Sequence, residues 1–242
     1  MLTQNLLPIV LALMPTANNT AVSGLTVECP ELVKQLCGLP TDPSATGLPT
    51  VTGACDENLQ ITWTDQVVDA ACEAQRFDYI IYRTFHVVDG CGNEGTCRQQ
   101  IDVMKKVAVL DLHPRSCPNP FNRQGNGGVY PAALLGTPTC DVTQIDPASL
   151  KLWLQNCTGG PVLPIRYAYE DVSAPYQGGE DCGCTTAGPD GFVDLTFKFD
   201  KRQMRDGLGL NSFPNMSYVR LFVTGRFLDG CDFIGTDCIR VQ

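Results

Sequence analysis

Histidine is almost absent from this 242-residue sequence, with His86 and His113 the only two. Little is therefore available for acid–base chemistry near neutral pH. Charge is sparse as well: Asp, Glu, Lys and Arg make up 18% of the chain, and 26 acids against 17 bases leave a net charge of −9. So few bases cannot neutralise a phosphate backbone, and no nucleic-acid partner is expected. No membrane span is expected either, since a crossing helix needs about 20 apolar residues, whereas the apolar run Leu6–Met14 (LLPIVLALM) has nine. The nucleophile and metalloprotease patterns GxSxG and HExxH are missing, and no catalysis is expected.

Cysteine and turn-forming residues are abundant: 13 Cys, 23 Gly and 17 Pro. That composition favours loops over long helices and describes a disulfide framework built in an oxidising, extracellular compartment. Tight CxxC or Cys/His sets that would hold zinc are lacking. Cys182 and Cys184 are too close in sequence to pair readily with each other, so each is expected to reach elsewhere. The odd total leaves one cysteine free or engaged between domains or subunits.

Residues 1–27 contain no charged side chain. A signal peptide would be apolar in this way, but its basic leading region is missing. The segment is therefore expected to belong to the working protein and to need burial. As a strand it places Leu7, Ile9, Leu11 and Leu13 on one face, and Pro8 suits an edge or an added strand. Three readings stand: a donor strand entering a neighbouring copy, a segment packed on its own subunit, or a signal remnant.

Residues 25–105 read as a β-module. Leu59–Thr64 alternates, Phe77–Val88 (FDYIIYRTFHVV) is long, aromatic and β-branched, and Cys97–Val103 alternates again. The Asp89-Gly90 and Gly92-Asn93 pairs supply turns, and Pro30–Cys37 has room for one or two helical turns. With Cys29-Pro30 at its start and YRTFHVVDGCGNEGTCRQQIDV at its end, the stretch resembles the bacterial extracellular repeats related to hyalin-repeat modules. The resemblance implies an immunoglobulin-like sandwich, a spacer or adhesion role without catalysis, and a Cys29–Cys97 bridge. At least three bridges are expected within residues 29–97.

Residues 106–242 give a second series of short strands with turns between them: Val107–Leu112, Val129–Leu135, Leu150–Leu154, Ile165–Tyr169, Phe192–Phe199, Tyr218–Thr224 and Cys231–Val241. Lys201–Leu208 reads as helix. The phrases SCPNPFN, VYPAALLGT, DVTQIDPASLKL, YEDVSAP, CGCTTAGPDGFVDLTFKFD and GTDCIRV resemble a domain found at the ends of large secreted bacterial proteins. The whole is expected to be all-β: two disulfide-stapled sandwiches behind an N-terminal strand spanning 1–24.

Glu170, Asp171, Asp181, Asp190 and Asp194 concentrate hard oxygen donors around glycines. Calcium is bound by such sets, and turn formation with solvated charge is the other reading. Asn18, Asn156 and Asn215 match the N-glycosylation pattern. The function these features fit is a structural subunit of an extracellular filament or surface assembly, whose partners are neighbouring copies of itself and, beyond them, glycans. The alternatives are a monomeric adhesin or carbohydrate-binding module, with Trp153, Tyr167, Tyr169 or Tyr176 as its platform, and a glycan hydrolase using paired acids.

Overall fold

The structure, a computed structural model, describes residues 24–124, 127–180 and 182–242. The segment holding Leu7, Ile9, Leu11, Leu13 and Asn18 lies outside the described residues, as does Asp181. What is described is an all-β protein with two short helices.

The first strands are β1 (Thr26–Glu28), β2 (Val33–Leu36), β3 (Thr50–Thr52), β4 (Gln60–Asp69), β5 (Phe77–Val88) and β6 (Glu94–Met104), with the single helical turn α1 at Pro43–Thr46. β1 pairs antiparallel with β3, matching Val27 to Val51, and the others form a sheet ordered β2-β6-β5-β4. The period-two pattern of β5 and β6 turns Phe85, Val87 and Cys97 inward, where they meet Leu25 and Val27 of the facing pair. Gly95 permits that approach, since a Cβ there would stand 2.5 Å from a Val27 methyl. Arg83 also points inward yet is paired: Nε and Nη2 donate to Asp65 at 2.8 and 2.7 Å, and Nη1 donates to Thr46 Oγ1 at 3.0 Å. A buried guanidinium is tolerated only when its donors are met in this way. Between β5 and β6 the Asp89 carboxylate accepts from the backbone N–H groups of Cys91 and Asn93, closing the turn that the Asp-Gly and Gly-Asn pairs predict.

The later elements are β7 (Lys106–Val107), β8 (Val109–Leu112), β9 (Pro120–Phe121), β10 (Val129–Leu135), β11 (Ile145–Leu154), β12 (Arg166–Glu170), β13 (Asp194–Asp200), α2 (Lys201–Gly207), β14 (Tyr218–Phe227) and β15 (Asp232–Val241). They build a sandwich from a sheet ordered β12-β13-β10-β8 and a sheet ordered β11-β14-β15-β7, with β9 also pairing β15. Leu112, Tyr130, Leu134, Leu195 and Phe197 from the first sheet share one core with Leu152, Leu221, Val223 and Phe233 from the second. Helix α2 starts where Asp200 accepts from Gln203 N at 2.9 Å, an N-cap that satisfies an otherwise open donor.

The two compact units are interleaved in sequence. One takes residues 24–33, Asp42–Gln66 and Ile81–Ile101; the other takes Lys34–Thr41, Val67–Ile80 and Asp102–Gln242. Segments 34–41 and 67–80, which the sequence places in the 25–105 module, thus group with the C-terminal part. Covalent and ionic ties accompany that grouping: Cys37 bonds Cys231, Cys72 bonds Cys157, and Glu73 pairs with Lys151 at 2.6 Å. The helical turn expected over Pro30–Cys37 is instead strand β2, and Cys37 N donates to Met104 O at 2.9 Å just beyond it.

Six disulfides cross-link the described chain: Cys29–Cys97, Cys37–Cys231, Cys55–Cys91, Cys72–Cys157, Cys117–Cys184 and Cys182–Cys238. The Cys29–Cys97 bridge implied by the resemblance is present, and Cys182 and Cys184 each reach a distant partner. Only two bridges close within residues 29–97, however, because Cys37 and Cys72 pair with residues far beyond that range. Cys140 remains free and half-buried, and burial raises its thiol pKa. Such a framework belongs to an oxidising compartment, and among the described residues no helix is long and apolar enough to cross a membrane.

Each bridge typically contributes about 2–4 kcal/mol by constraining the unfolded chain. Peptide mapping without reduction should recover all six pairs and one alkylatable thiol at Cys140, reacting slowly at neutral pH until the protein is denatured. Free thiols at Cys37 and Cys231 would refute this connectivity.

Candidate functional site

The sheet β12-β13-β10-β8 has a core face and an outer face. Its register puts Leu112, Ala132 and Phe197 in line on the first, and Asp111, Ala133 and Thr196 in line on the second. Between β12 and β13 lies the chain stretch 171–193, which among the described residues contains neither strand nor helix. Its backbone must find partners elsewhere, and aspartates provide them. Asp194 is fully buried, and its carboxylate accepts from Gly136 N at 2.9 Å, Val172 N at 2.8 Å and Ser173 N at 3.2 Å. Asp171 accepts from Asp190 N and Gly191 N at 3.0 and 2.8 Å, and Asp190 accepts from Phe192 N at 3.1 Å. Ser173, also fully buried, donates its hydroxyl to Asp111 at 2.8 Å. The bridges Cys117–Cys184 and Cys182–Cys238 hold the same stretch covalently.

The acid-rich stretch singled out in the sequence is therefore a loop organised by its own carboxylates. Glu170 stands exposed at the end of β12, opposite Asp194 in register. Among the described residues, the one cluster with three potential metal-ligand atoms within 4.8 Å of one another is Cys55, Asp89 and Cys91. Its two sulfurs are joined in a disulfide and its carboxylate accepts four hydrogen bonds from Cys55, Cys91 and Asn93. A disulfide sulfur is no thiolate, so that trio does not fit a metal.

Sequence reading overlooked the acids behind the loop. Asp111 lies within the apolar strand VLDL of β8, and Asp237 lies on β15. Asp237 accepts from Leu112 N at 2.7 Å, Cys238 N at 2.7 Å and Asn119 Nδ2 at 2.9 Å. Burial pushes the Asp111 pKa up to about 6, opposed by the Ser173 hydroxyl and assisted by the charge of Asp194. Burial pushes Asp237 up to about 7 against its hydrogen bonds, with the charge of Asp111 adding to the rise. Asp194 is raised as well, by burial first and against its three N–H partners. The nearby Tyr130 hydroxyl and His113 Nδ1 are buried with no hydrogen-bond partner among the described residues, and burial lowers the His113 pKa. An acid inside a four-residue apolar run was the only trace of this in the sequence.

The aromatics proposed as a platform divide. Trp153 is half-buried and donates from Nε1 to Thr224 Oγ1 at 2.9 Å, whereas Tyr167 and Tyr169 are exposed on β12 with ring centres 6.4 Å apart. Tyr176 is exposed and bonds Glu180. Of the glycosylation candidates, Asn215 is exposed and accepts from Arg123, and Asn156 lies in a 3-10 turn at Gln155–Cys157.

No protein-family profile matches the chain, and no curated protein matches it. Among solved structures, "Protocadherin Gamma B2 extracellular cadherin domains 3-6" aligns over 88% of this chain at 11% identity and a TM-score of 0.22. The chain spans 45% of that structure's length. So loose a likeness assigns no family.

Two expectations follow. Asp194→Ala leaves three backbone donors without their acceptor, at about 3 kcal/mol or more; the loss in melting temperature should be equally visible in excess chelator, since these bonds are made to protein alone. The second concerns pH. Asp111 and Asp237 have folded pKa values of about 6 and 7 against 3.8 unfolded, so between those values the folded chain holds more protons. Stability must then fall as pH rises through that window, for Asp111 by on the order of 2–3 kcal/mol. Thermal melts should show a higher midpoint at pH 5 than at pH 8, and Asp111→Asn should reduce the difference while leaving the part carried by Asp237. A midpoint that climbs from pH 5 to pH 8 would contradict the assignment.

Proposed function

We propose that the protein is a structural subunit of an extracellular filament or cell-surface assembly. Its charge-free N-terminal segment enters a neighbouring copy as an added strand. The observation that carries this reading is β4. It is the last strand in the order β2-β6-β5-β4, it is ten residues long, and nine of those residues are exposed. Long exposed edges of this kind invite strand pairing, and proteins normally cover or charge them. Within the first unit the stretch Gln60–Thr64 is uncharged and leaves Trp63 47% exposed.

The donor has matching properties. Leu6–Met14 is apolar over nine residues, and charge is missing throughout residues 1–27. Backbone hydrogen bonds along an added strand set direction and register. Each of Leu7, Ile9, Leu11 and Leu13 gains about 1.5–3 kcal/mol when fully buried, enough to exceed the ordering cost. A head-to-tail contact of this type does not close on itself, so it propagates into a fibre. The disulfides supply resistance to unfolding in an oxidising exterior.

The test is assembly. Deleting residues 1–20, or changing Leu11 and Leu13 to Asp, should yield subunits that stay monomeric by light scattering while keeping their melting temperature. Thr62→Lys, which puts a charge on this exposed uncharged stretch, should block acceptance of the strand, and a free peptide of residues 5–16 should cap wild-type subunits. Polymerisation that survives the deletion would sink this reading. A wild-type chain that is monomeric and ignores the peptide would leave the monomeric binding module as the better account.

A further inference from the structure

The part of the outer face that the 171–193 loop leaves open is a cleft of about 370 Å³. Val172 and Glu170 border it at one end, and the turn carrying Pro114 and Arg115 borders it at the other. Three cations line it: Arg115, Arg166 and Lys198. None of the three has an ion pair or hydrogen bond from its side chain among the described residues, although other lysines and arginines of this acidic chain are paired, as in Lys106–Asp229, Lys151–Glu73 and Arg226–Asp232. Glu170 is the one carboxylate among the lining residues.

The fold works against this arrangement and keeps it. Arg166 and Lys198 are direct partners in the β12–β13 register, and like charges placed opposite each other oppose strand pairing. Lys198 in turn faces Pro131 on β10, whose carbonyl accepts from His113 N at 3.0 Å. That bond brings the 113–116 turn onto the same face. There His113 and Arg115 hold φ values of 82° and 64°, a left-handed backbone that bulky residues seldom adopt. Unpaired like charges together with strained backbone are what a site built for a ligand looks like.

We infer that this cleft binds an anionic polysaccharide, through carboxylate or sulfate groups on its sugar rings. Guanidinium forks match such oxygens in bidentate geometry, and Lys198 adds a point charge on β13 beside Arg166. The cleft lies open along the sheet, which suits an extended chain. A site lined by cations in a protein of net charge −9 acts locally: it attracts charge spaced along a glycan and not the dense charge of a nucleic acid. The inference is independent of polymerisation, since a monomer and a filament subunit carry the same cleft.

Calorimetric titration of the full chain with oligogalacturonate, heparin oligosaccharide, neutral dextran and single-stranded DNA tests it. We expect binding to one or both sugar polyanions, weakening at least tenfold between 20 and 200 mM salt, and none to dextran. The two polyanion arms distinguish carboxylate from sulfate recognition. Arg166→Gln and Lys198→Gln should each weaken binding at least tenfold while the melting temperature stays level or rises, because each removes a like-charge pair. Lys34→Gln, away from the cleft on β2, should change neither reading. Failure of both polyanions to bind, equal binding of dextran, DNA binding as tight as the glycans, or full affinity in both cleft variants would overturn the proposal.

Discussion

The stretch 171–193, which among the described residues holds no strand or helix, has to lie against a sheet whose outer face carries acids. That requirement shapes the second unit. The loop's N–H groups need acceptors, and the sheet's carboxylates, once covered, need donors. Each solves the other's problem: Asp194 takes three backbone N–H groups, and Asp111 takes the Ser173 hydroxyl. Covalent bonds then make the arrangement permanent. Cys184 ties the loop to Cys117 ahead of β9, and Cys182 ties it to Cys238 on β15 of the other sheet. The loop is thereby fastened to both layers of the sandwich.

The same solution carries an electrostatic cost. Asp194, Asp111 and Asp237 influence one another in sequence, and each is pushed toward its protonated form by burial. Hydrogen bonds from N–H groups at Asp194 and Asp237, and from the Ser173 hydroxyl at Asp111, oppose that push without cancelling it. A carboxylate in this position is favoured over an apolar residue by geometry: it can accept two or three donors at once, where no strand is available to meet them. The unit gives up some stability as pH rises from about 4 to about 7 in return for a loop whose path is fixed.

Much of the architecture was legible from period-two patterning. Phe77–Val88 and Val129–Leu135 are strands over the very residues whose β-branched and aromatic character predicts them, and Lys201–Gly207 is helical behind an Asp cap. Elsewhere tertiary pairing prevailed over local preference: Val33–Leu36 has few strand formers, yet it joins β6 as a strand. Cysteine spacing could not give the bridges, since six cysteines alone allow 15 pairings, and Cys37 and Cys72 choose partners 194 and 85 residues away. The acids of 170–194 were visible in the sequence as a cluster. That Asp171 and Asp190 would turn to backbone N–H groups could not be, because it depends on how the loop folds. The basic cleft was the least visible of all: Arg115, Arg166 and Lys198 are far apart in sequence, and only the register of β12, β13 and β10 brings two of them face to face.

Two of the edge strands, β12 and β4, differ in how charge is placed along them. β12 ends its sheet with Arg166 and Glu170 at its two ends, both exposed, and an arriving strand would have to desolvate both charges. Charged edges resist pairing for that reason. β4 ends its sheet with Gln60, Ile61, Thr62, Trp63 and Thr64, and the first acid to follow, Asp65, is already neutralised by Arg83. A net charge of −9 repels identical subunits over about a Debye length, roughly 8–10 Å under physiological salt. Any contact between copies is therefore least opposed at surfaces where that charge is missing, and the uncharged part of β4 is such a surface. Charge thus sorts the surface into an edge with an uncharged stretch, an edge charged at both ends, and a cleft whose cations have no partner among the described residues.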